Sequence, residues 1–144
     1  MISLIQYDSW ANQRFIDSLT ITPLPEALRL MSHIVMARSV WISRIKQGNQ
    51  QTNPWQEYDL IDMNRIMAEQ DEALSVIVGQ MNIDSIINYQ NSKGERFENE
   101  LFGILHHLFL HSAYHRGQIS NHLLRKNIKP PITDYIFYLR ETGY

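Results

Sequence analysis

One short segment near the C-terminus, HHLFLHSAYHRGQISNHLL, carries five of the six histidines in the chain. They are His106, His107, His111, His115 and His122. Imidazole nitrogen is a common ligand of first-row transition metals, so a metal site is one explanation for this enrichment. The alternative is a polar seam in an ordinary helix, with its histidines satisfied by hydrogen bonds.

Helical geometry restricts which of these histidines can share an ion. A helix rises about 1.5 Å per residue, so His107 and His115 lie about 12 Å apart along the axis, too far for one ion. His122 lies about 10 Å beyond His115 by the same rise. Two pairs with a four-residue spacing remain: His107 with His111, and His111 with His115.

The helical wheel ranks these two pairs by their distance from the apolar stripe. The centre of the stripe is set by five aliphatic residues, which are Leu101, Leu105, Leu108, Ile119 and Leu123. His115 lies about 40° from that centre, His111 about 80° and His107 about 120°. His106 is predicted to face solvent. The wheel therefore favours the pair His111 and His115, at the edge of the core.

Two imidazoles do not complete a catalytic zinc site, which has three protein ligands and one open position. The sixth histidine, His33, lies in MSHIVMAR, at the margin of the apolar stripe of an upstream helix. It completes a three-histidine set if that helix packs beside the helix of His111 and His115, which spacing alone does not decide.

The neighbours of the histidine pair predict supporting contacts rather than catalytic groups. Gln118 is placed near the His111/His115 face, where it can bond the second nitrogen of a ligand or a metal-bound water. Arg116 is rotated about 100° from His115 and is expected to pair with an acid or a helix end rather than to touch the ion. The sequence assigns no general acid or base: the groups considered, Asp8, Asp134 and Tyr114, cannot be placed at the ion.

The elements that must position these residues are helices. Apolar periodicity predicts four long helices over about residues 2–19, 26–46, 60–81 and 99–126, and a short terminal helix in TDYIFYLRE. A polar loop is predicted at 47–59, and SIINYQNSKGERFENEL reads as a hairpin-like loop before the last long helix. We expect an all-α fold, a four-helix bundle with a crossover between helices three and four, in one domain spanning 1–144.

Composition limits the classes of function. The formal net charge is −2, with 13 basic against 15 acidic residues, which does not favour nucleic-acid binding. No apolar run approaches the roughly 20 residues of a membrane span, and MISLIQYDSWANQRF lacks the pattern of a signal peptide, so a cytoplasmic protein is expected. The chain has no cysteine, so any sulfur nucleophile must come from another molecule.

Several segments together resemble one protein family. LFLHSAYHRGQI is similar to the C-terminal signature of the DinB (damage-inducible) superfamily, the DinB/YfiT-like metalloproteins. YDSWANQRF resembles the family's opening, and MSHIVMARSVWISRI its second helix. INYQNSKGERFENELFGILHH resembles the segment before its last long helix, and KPPITDYIFYLR its C-terminal end. The similarity covers almost the whole chain and keeps the order of the segments.

The resemblance implies an up-down-down-up four-helix bundle that binds a divalent metal, with Zn or Ni expected, through His33, His111 and His115. It implies a homodimer and, in some members, thiol-dependent transfer or isomerisation with a low-molecular-weight thiol. We therefore expect a metal-dependent enzyme acting on small molecules, of the thiol S-transferase or hydrolase type. The alternative is a non-catalytic metal-binding stress-response protein that works through its dimer or a partner.

Overall fold

The computed structural model describes residues 1–48 and 53–143, and within them the chain is predominantly helical with one small sheet. The elements follow in the order α1 (Ile2–Ile21), α2 (Pro25–Ile45), α3 (Leu60–Gln80), β1 (Ile86–Gln90), β2 (Arg96–Glu100), α4 (Leu101–Leu124) and α5 (Tyr135–Thr142). No helix in these ranges is long and apolar enough to cross a membrane.

The predicted helices are confirmed, and the ends of the four long ones differ from the predicted ends by at most two residues. α4 begins two residues later than predicted, because Asn99 and Glu100 continue strand β2 and pair with β1. The predicted hairpin-like loop is an antiparallel hairpin, with Tyr89 opposite Phe97. Of the predicted polar loop at 47–59, residues 49–52 lie outside the described residues.

Local chemistry explains where several of these elements begin and turn. Pro25 occupies the first turn of α2, where its missing N–H costs nothing. Asp59 caps α3, since its side chain accepts a 2.8 Å hydrogen bond from the Asp62 backbone N–H. Gly94 has a φ of +80° in the turn between the two strands, a conformation that favours glycine.

The core consists of two apolar clusters, and each of the four long helices contributes to both. The hairpin-side cluster contains Ile5, Ile42, Ile45, Leu74, Ile77, Ile87, Leu101, Ile104, Leu105, Leu108 and Phe109. The distal cluster contains Phe15, Ile16, Leu19, Ala27, Met31, Ile34, Val35, Met63, Met67, Ile119 and Leu123. α1 and α4 run from the hairpin-side cluster to the distal cluster, while α2 and α3 run the other way.

On α1 and α4, the buried polar side chains fall between the two clusters. Arg116 on α4 donates 2.7 Å hydrogen bonds to the Asp8 carboxylate and to the Asn12 side-chain oxygen on α1. Ser112 donates to the other oxygen of the same carboxylate. Because Arg116 and Asp8 are both almost completely buried, their charges depend on each other for compensation. This ion pair joins α1 to α4 one residue beyond His115.

α2 packs against α4 more extensively than any other pair of described helices. The sequence predicted a three-histidine set only if these two helices pack side by side. It brings His33, in the middle of α2, against the face of α4 that carries His111 and His115.

Candidate metal centre

His33, His111 and His115 converge on one point between α2 and α4. Each offers one ring nitrogen, and these nitrogens all lie within 4.8 Å of one another. The ring centroid of His33 is 5.0 Å from that of His111 and 4.7 Å from that of His115. His33 is 7% exposed and His115 9%, while His111 is half-buried, so the group is enclosed on the side of the core.

The spacing within α4 already suits a tetrahedral metal ion. His111 and His115 lie one helical turn apart, and their Nε2 atoms are separated by 3.2 Å. Zinc–imidazole bonds of 2.0–2.1 Å at a tetrahedral angle separate two ligand nitrogens by about 3.3 Å. A regular helix therefore sets the separation of two ligands without any local distortion.

The second ring nitrogens of two histidines are held by hydrogen bonds. His33 Nδ1 lies 2.7 Å from the carbonyl oxygen of Pro54, which can only accept, so the proton is on Nδ1. His115 Nδ1 lies 2.8 Å from Oε1 of Gln118, one turn along α4. Both contacts leave Nε2 with its lone pair, the state that a metal ligand requires.

The pKa values of His33 and His111 are lowered by burial and by neighbouring histidines. Burial lowers the pKa of His33, a hydrogen bond to Pro54 partly opposes this, and His115 lowers it further. Burial also lowers the pKa of His111 to about 4, with the neighbouring His115, His33 and His107 adding to the effect. Neutral imidazole is the form that binds metal, so neutral pH leaves His33 and His111 ready as ligands.

The sequence ranking of the histidines on α4 agrees with their burial. Exposure increases from His115 to His111 and then to His107, in the order of their angles on the wheel. His107 packs its ring against Trp41 and lies outside the three-histidine group. The prediction that His106 faces solvent is wrong. Its side chain is half-buried because it folds back over the preceding turn, where its Nδ1 donates to the Phe102 carbonyl at 2.8 Å.

The predicted supporting residues are found where their contacts were expected. Gln118 bonds the second nitrogen of His115, and Arg116 pairs with an acid, Asp8. That pairing occupies Asp8 as a structural partner, and no carboxylate of the described residues joins the histidine group. Asp134 precedes α5 as its N-cap residue, and Tyr114 is 66% exposed. The Tyr114 ring nevertheless contacts that of His115, with centroids 5.2 Å apart.

Sequence reasoning missed two residues that contact the site from the loop between α2 and α3. The Pro54 carbonyl accepts the hydrogen bond from His33, and the Trp55 ring stacks on the His33 imidazole, with centroids 3.7 Å apart. The signal for this contact was a tryptophan in an otherwise polar segment, NPWQEYD, where an apolar ring needs a packing partner.

The fold and the site together define a helical protein with a three-histidine centre, and comparison with known families places it more closely. The model of the DinB family matches residues 6–143. The chain belongs to the DinB family. Among proteins with curated descriptions, none matches the sequence.

Proposed function

We propose that the protein binds a divalent metal ion through Nε2 of His33, His111 and His115. The observation that carries the proposal is the pair of hydrogen bonds to Pro54 and Gln118, which hold Nδ1 of two of these histidines. Histidines that bind metals almost always donate their second N–H to such an acceptor. Three neutral imidazoles suit a divalent first-row ion, and we propose Zn or Ni.

We further propose that the metal centre is catalytic and acts on small molecules, as a thiol-dependent S-transferase or a hydrolase. A divalent ion with three protein ligands supplies a Lewis acid with an open coordination position. The chain's own part is to hold three ligand nitrogens in place, to keep His33 and His111 neutral, and to exclude water from the core side. A low-molecular-weight thiol as co-substrate is consistent with a chain that has no cysteine.

A non-catalytic metal-binding role in a stress response is the second candidate. It is favoured by the composition of the site, since the described residues bring no carboxylate to the three histidines. A hydrolase usually needs a base to accept a proton, whereas a metal-binding protein does not. Thiol transfer depends less on a protein base than hydrolysis does, because the sulfur of the external thiol is itself the nucleophile.

We propose that the four long helices form an up-down-down-up four-helix bundle within one domain. This is supported by the order in which the helices enter the two apolar clusters: α1 and α4 in one direction, α2 and α3 in the other. α2 then lies beside α4, as the metal centre requires.

We propose a cytoplasmic homodimer that does not bind nucleic acid. The support for a dimer is an exposed apolar stripe on α4, made by Phe102, Leu110 and Tyr114, of which Leu110 is 70% exposed. Leu110 and Tyr114 are four positions apart and share one face of the helix, and Phe102 lies two turns before Leu110 at the margin of that face. Single exposed apolar residues are ordinary, but a stripe on one helix face is typical of a protein interface.

Activity measurements on the metal-loaded protein distinguish the two candidate functions. We would load the purified protein with Zn²⁺ or Ni²⁺ and assay it with electrophiles, ester substrates and a panel of low-molecular-weight thiols. Catalysis predicts turnover that is lost on chelation and in His111→Gln and His115→Gln, but kept in His122→Gln, a control outside the group. Bound metal without turnover across the whole panel would favour the non-catalytic role.

A further inference from the structure

Trp55 makes the closest ring contact to the three-histidine centre from outside α2 and α4. Its indole lies parallel to the His33 imidazole, with an interplanar angle of 8° and centroids 3.7 Å apart. On the α2 side, the Arg29 guanidinium lies 5.3 Å from the Trp55 ring centroid. His33 is 7% exposed although Trp55 itself is 45% exposed, which is the relation expected of a cover and the group beneath it.

The segment that carries Trp55 is fixed to α2 at His33 and at the residue before it, Ser32. The backbone N–H of Trp55 donates to the Asn53 side chain at 3.0 Å, which shapes the turn around Pro54. Three residues after Trp55, the backbone N–H of Tyr58 donates to the Ser32 hydroxyl at 3.0 Å. Ser32 is the neighbour of His33 on α2, so the loop and the helix meet at adjacent residues.

We propose that Trp55 is a positioning residue for the metal centre: by stacking on His33 it holds the Pro54 carbonyl against Nδ1 and so directs Nε2 toward His111 and His115. This inference rests on the proposed metal-binding function. The stack fixes the plane of the imidazole, and the carbonyl fixes its tautomer. Both contacts come from the loop, and neither α2 nor α4 supplies a stacked ring or a hydrogen-bond acceptor to His33.

The tautomer of His33 gives a readout that does not depend on metal. Free imidazole favours the form with its proton on Nε2, whereas the structure requires the proton on Nδ1. A two-bond ¹H–¹⁵N correlation spectrum of the chelator-treated protein at a pH of about 8, where His33 is neutral, reports which nitrogen carries the proton. We expect the Nδ1–H form in the wild type and in Trp55→Phe, which keeps an aromatic ring. Trp55→Ala should show a mixture or the Nε2–H form.

Metal affinity provides the second readout. Competition with a chelating indicator should show that Trp55→Ala weakens Zn²⁺ binding by about 10- to 100-fold, as for the loss of other groups that orient a ligand. Trp55→Phe should stay within about threefold of the wild type. Trp10→Ala is the matched control, because Trp10 packs against Tyr7 and Tyr138 and has no histidine among its ring contacts.

The two readouts separate this inference from the proposed function. A wild-type protein that binds no Zn²⁺ would contradict the proposed metal site, and the tautomer would then decide the role of Trp55 alone. The positioning role is overturned if Trp55→Ala keeps the Nδ1–H form, or if its affinity for Zn²⁺ equals that of a metal-binding wild type. Urea unfolding of each variant shows whether a loss of Zn²⁺ affinity, or a change of tautomer, comes from global destabilisation.

Discussion

His115 Nδ1 and Gln118 Oε1 lie 2.8 Å apart within a single turn of α4. Their contact means that the same helix supplies a candidate ligand, its spacing from His111, and the group that orients it. α4 thus supplies two of the three candidate ligands from one regular helix. His33 is the third and depends on the packing of α2 and on a loop.

Gln118 should matter to metal affinity without binding the ion. Gln118→Leu removes the acceptor for His115 Nδ1 and should weaken Zn²⁺ binding by about 10- to 100-fold. Gln118→Glu retains an acceptor and should bind at least as tightly as the wild type. Competition titrations with a chelating indicator measure both. Equal affinities for the Leu variant and the wild type would show that this hydrogen bond does not orient His115.

The buried ion pair between Asp8 and Arg116 should be important for stability. Asp8→Ala leaves the Arg116 guanidinium buried without its counter-charge, and we expect a loss of about 3–5 kcal/mol in the free energy of unfolding. The exposed pair of Arg14 and Glu141 is the control, and Glu141→Ala should cost about 0–1 kcal/mol. Urea unfolding of the chelator-treated proteins measures both changes. If Asp8→Ala and Glu141→Ala lose similar, small amounts of unfolding free energy, the buried pair is not important for stability.

The stability of the metal-free protein should fall in mildly acidic solution. The pKa of His111 is lowered from 6.5 to about 4 in the folded protein, chiefly by burial. As the pH falls from about 6.5 to about 4, the unfolded chain takes up a proton at this residue that the folded chain does not, so unfolding becomes easier. The destabilisation is complete below that range and absent above it.

His111→Gln provides the test of this pH dependence. Urea midpoints measured across the acidic range, with chelator present, should vary less with pH in His111→Gln than in the wild type. Some dependence should remain, because the pKa of His33 is lowered in the same direction. Parallel profiles for the two proteins would mean that His111 does not contribute.

Gly117 lies between the histidine pair and Gln118, yet nothing in its surroundings requires a glycine. It is exposed in the middle of α4, and a Cβ added there meets no atom within 4 Å. Gly117→Ala should therefore raise the free energy of unfolding by about 0.5–1 kcal/mol. Gly94→Ala is the contrasting control, since its φ of +80° makes any side chain unfavourable. Destabilisation by Gly117→Ala would point to a contact made in an assembly.

The sequence predicted the parts of this centre that depend on local periodicity. The helical wheel selected His111 and His115 and predicted that His107 is less buried than either, because all three lie on the same regular helix. The role of His33 required knowledge of how α2 and α4 pack, which periodicity does not contain. Family resemblance provided that knowledge.

The contacts that the sequence did not predict join residues far apart in the chain or in a loop. The Pro54 carbonyl is 21 positions from His33, and Asp8 is 108 positions from Arg116. Spacing arguments apply within one regular element, so neither contact was accessible to them. The helix ends were predicted to within two residues, and the deviation at α4 arose from strand pairing, another non-local effect.

The central claim is that one divalent ion binds at His33, His111 and His115. The most direct measurement is a crystal structure of the Zn²⁺-loaded protein, with anomalous scattering recorded on both sides of the zinc absorption edge. One anomalous peak is expected, about 2.0–2.1 Å from Nε2 of each histidine. A peak bound by other residues, or no peak at the three histidines after loading, would contradict it.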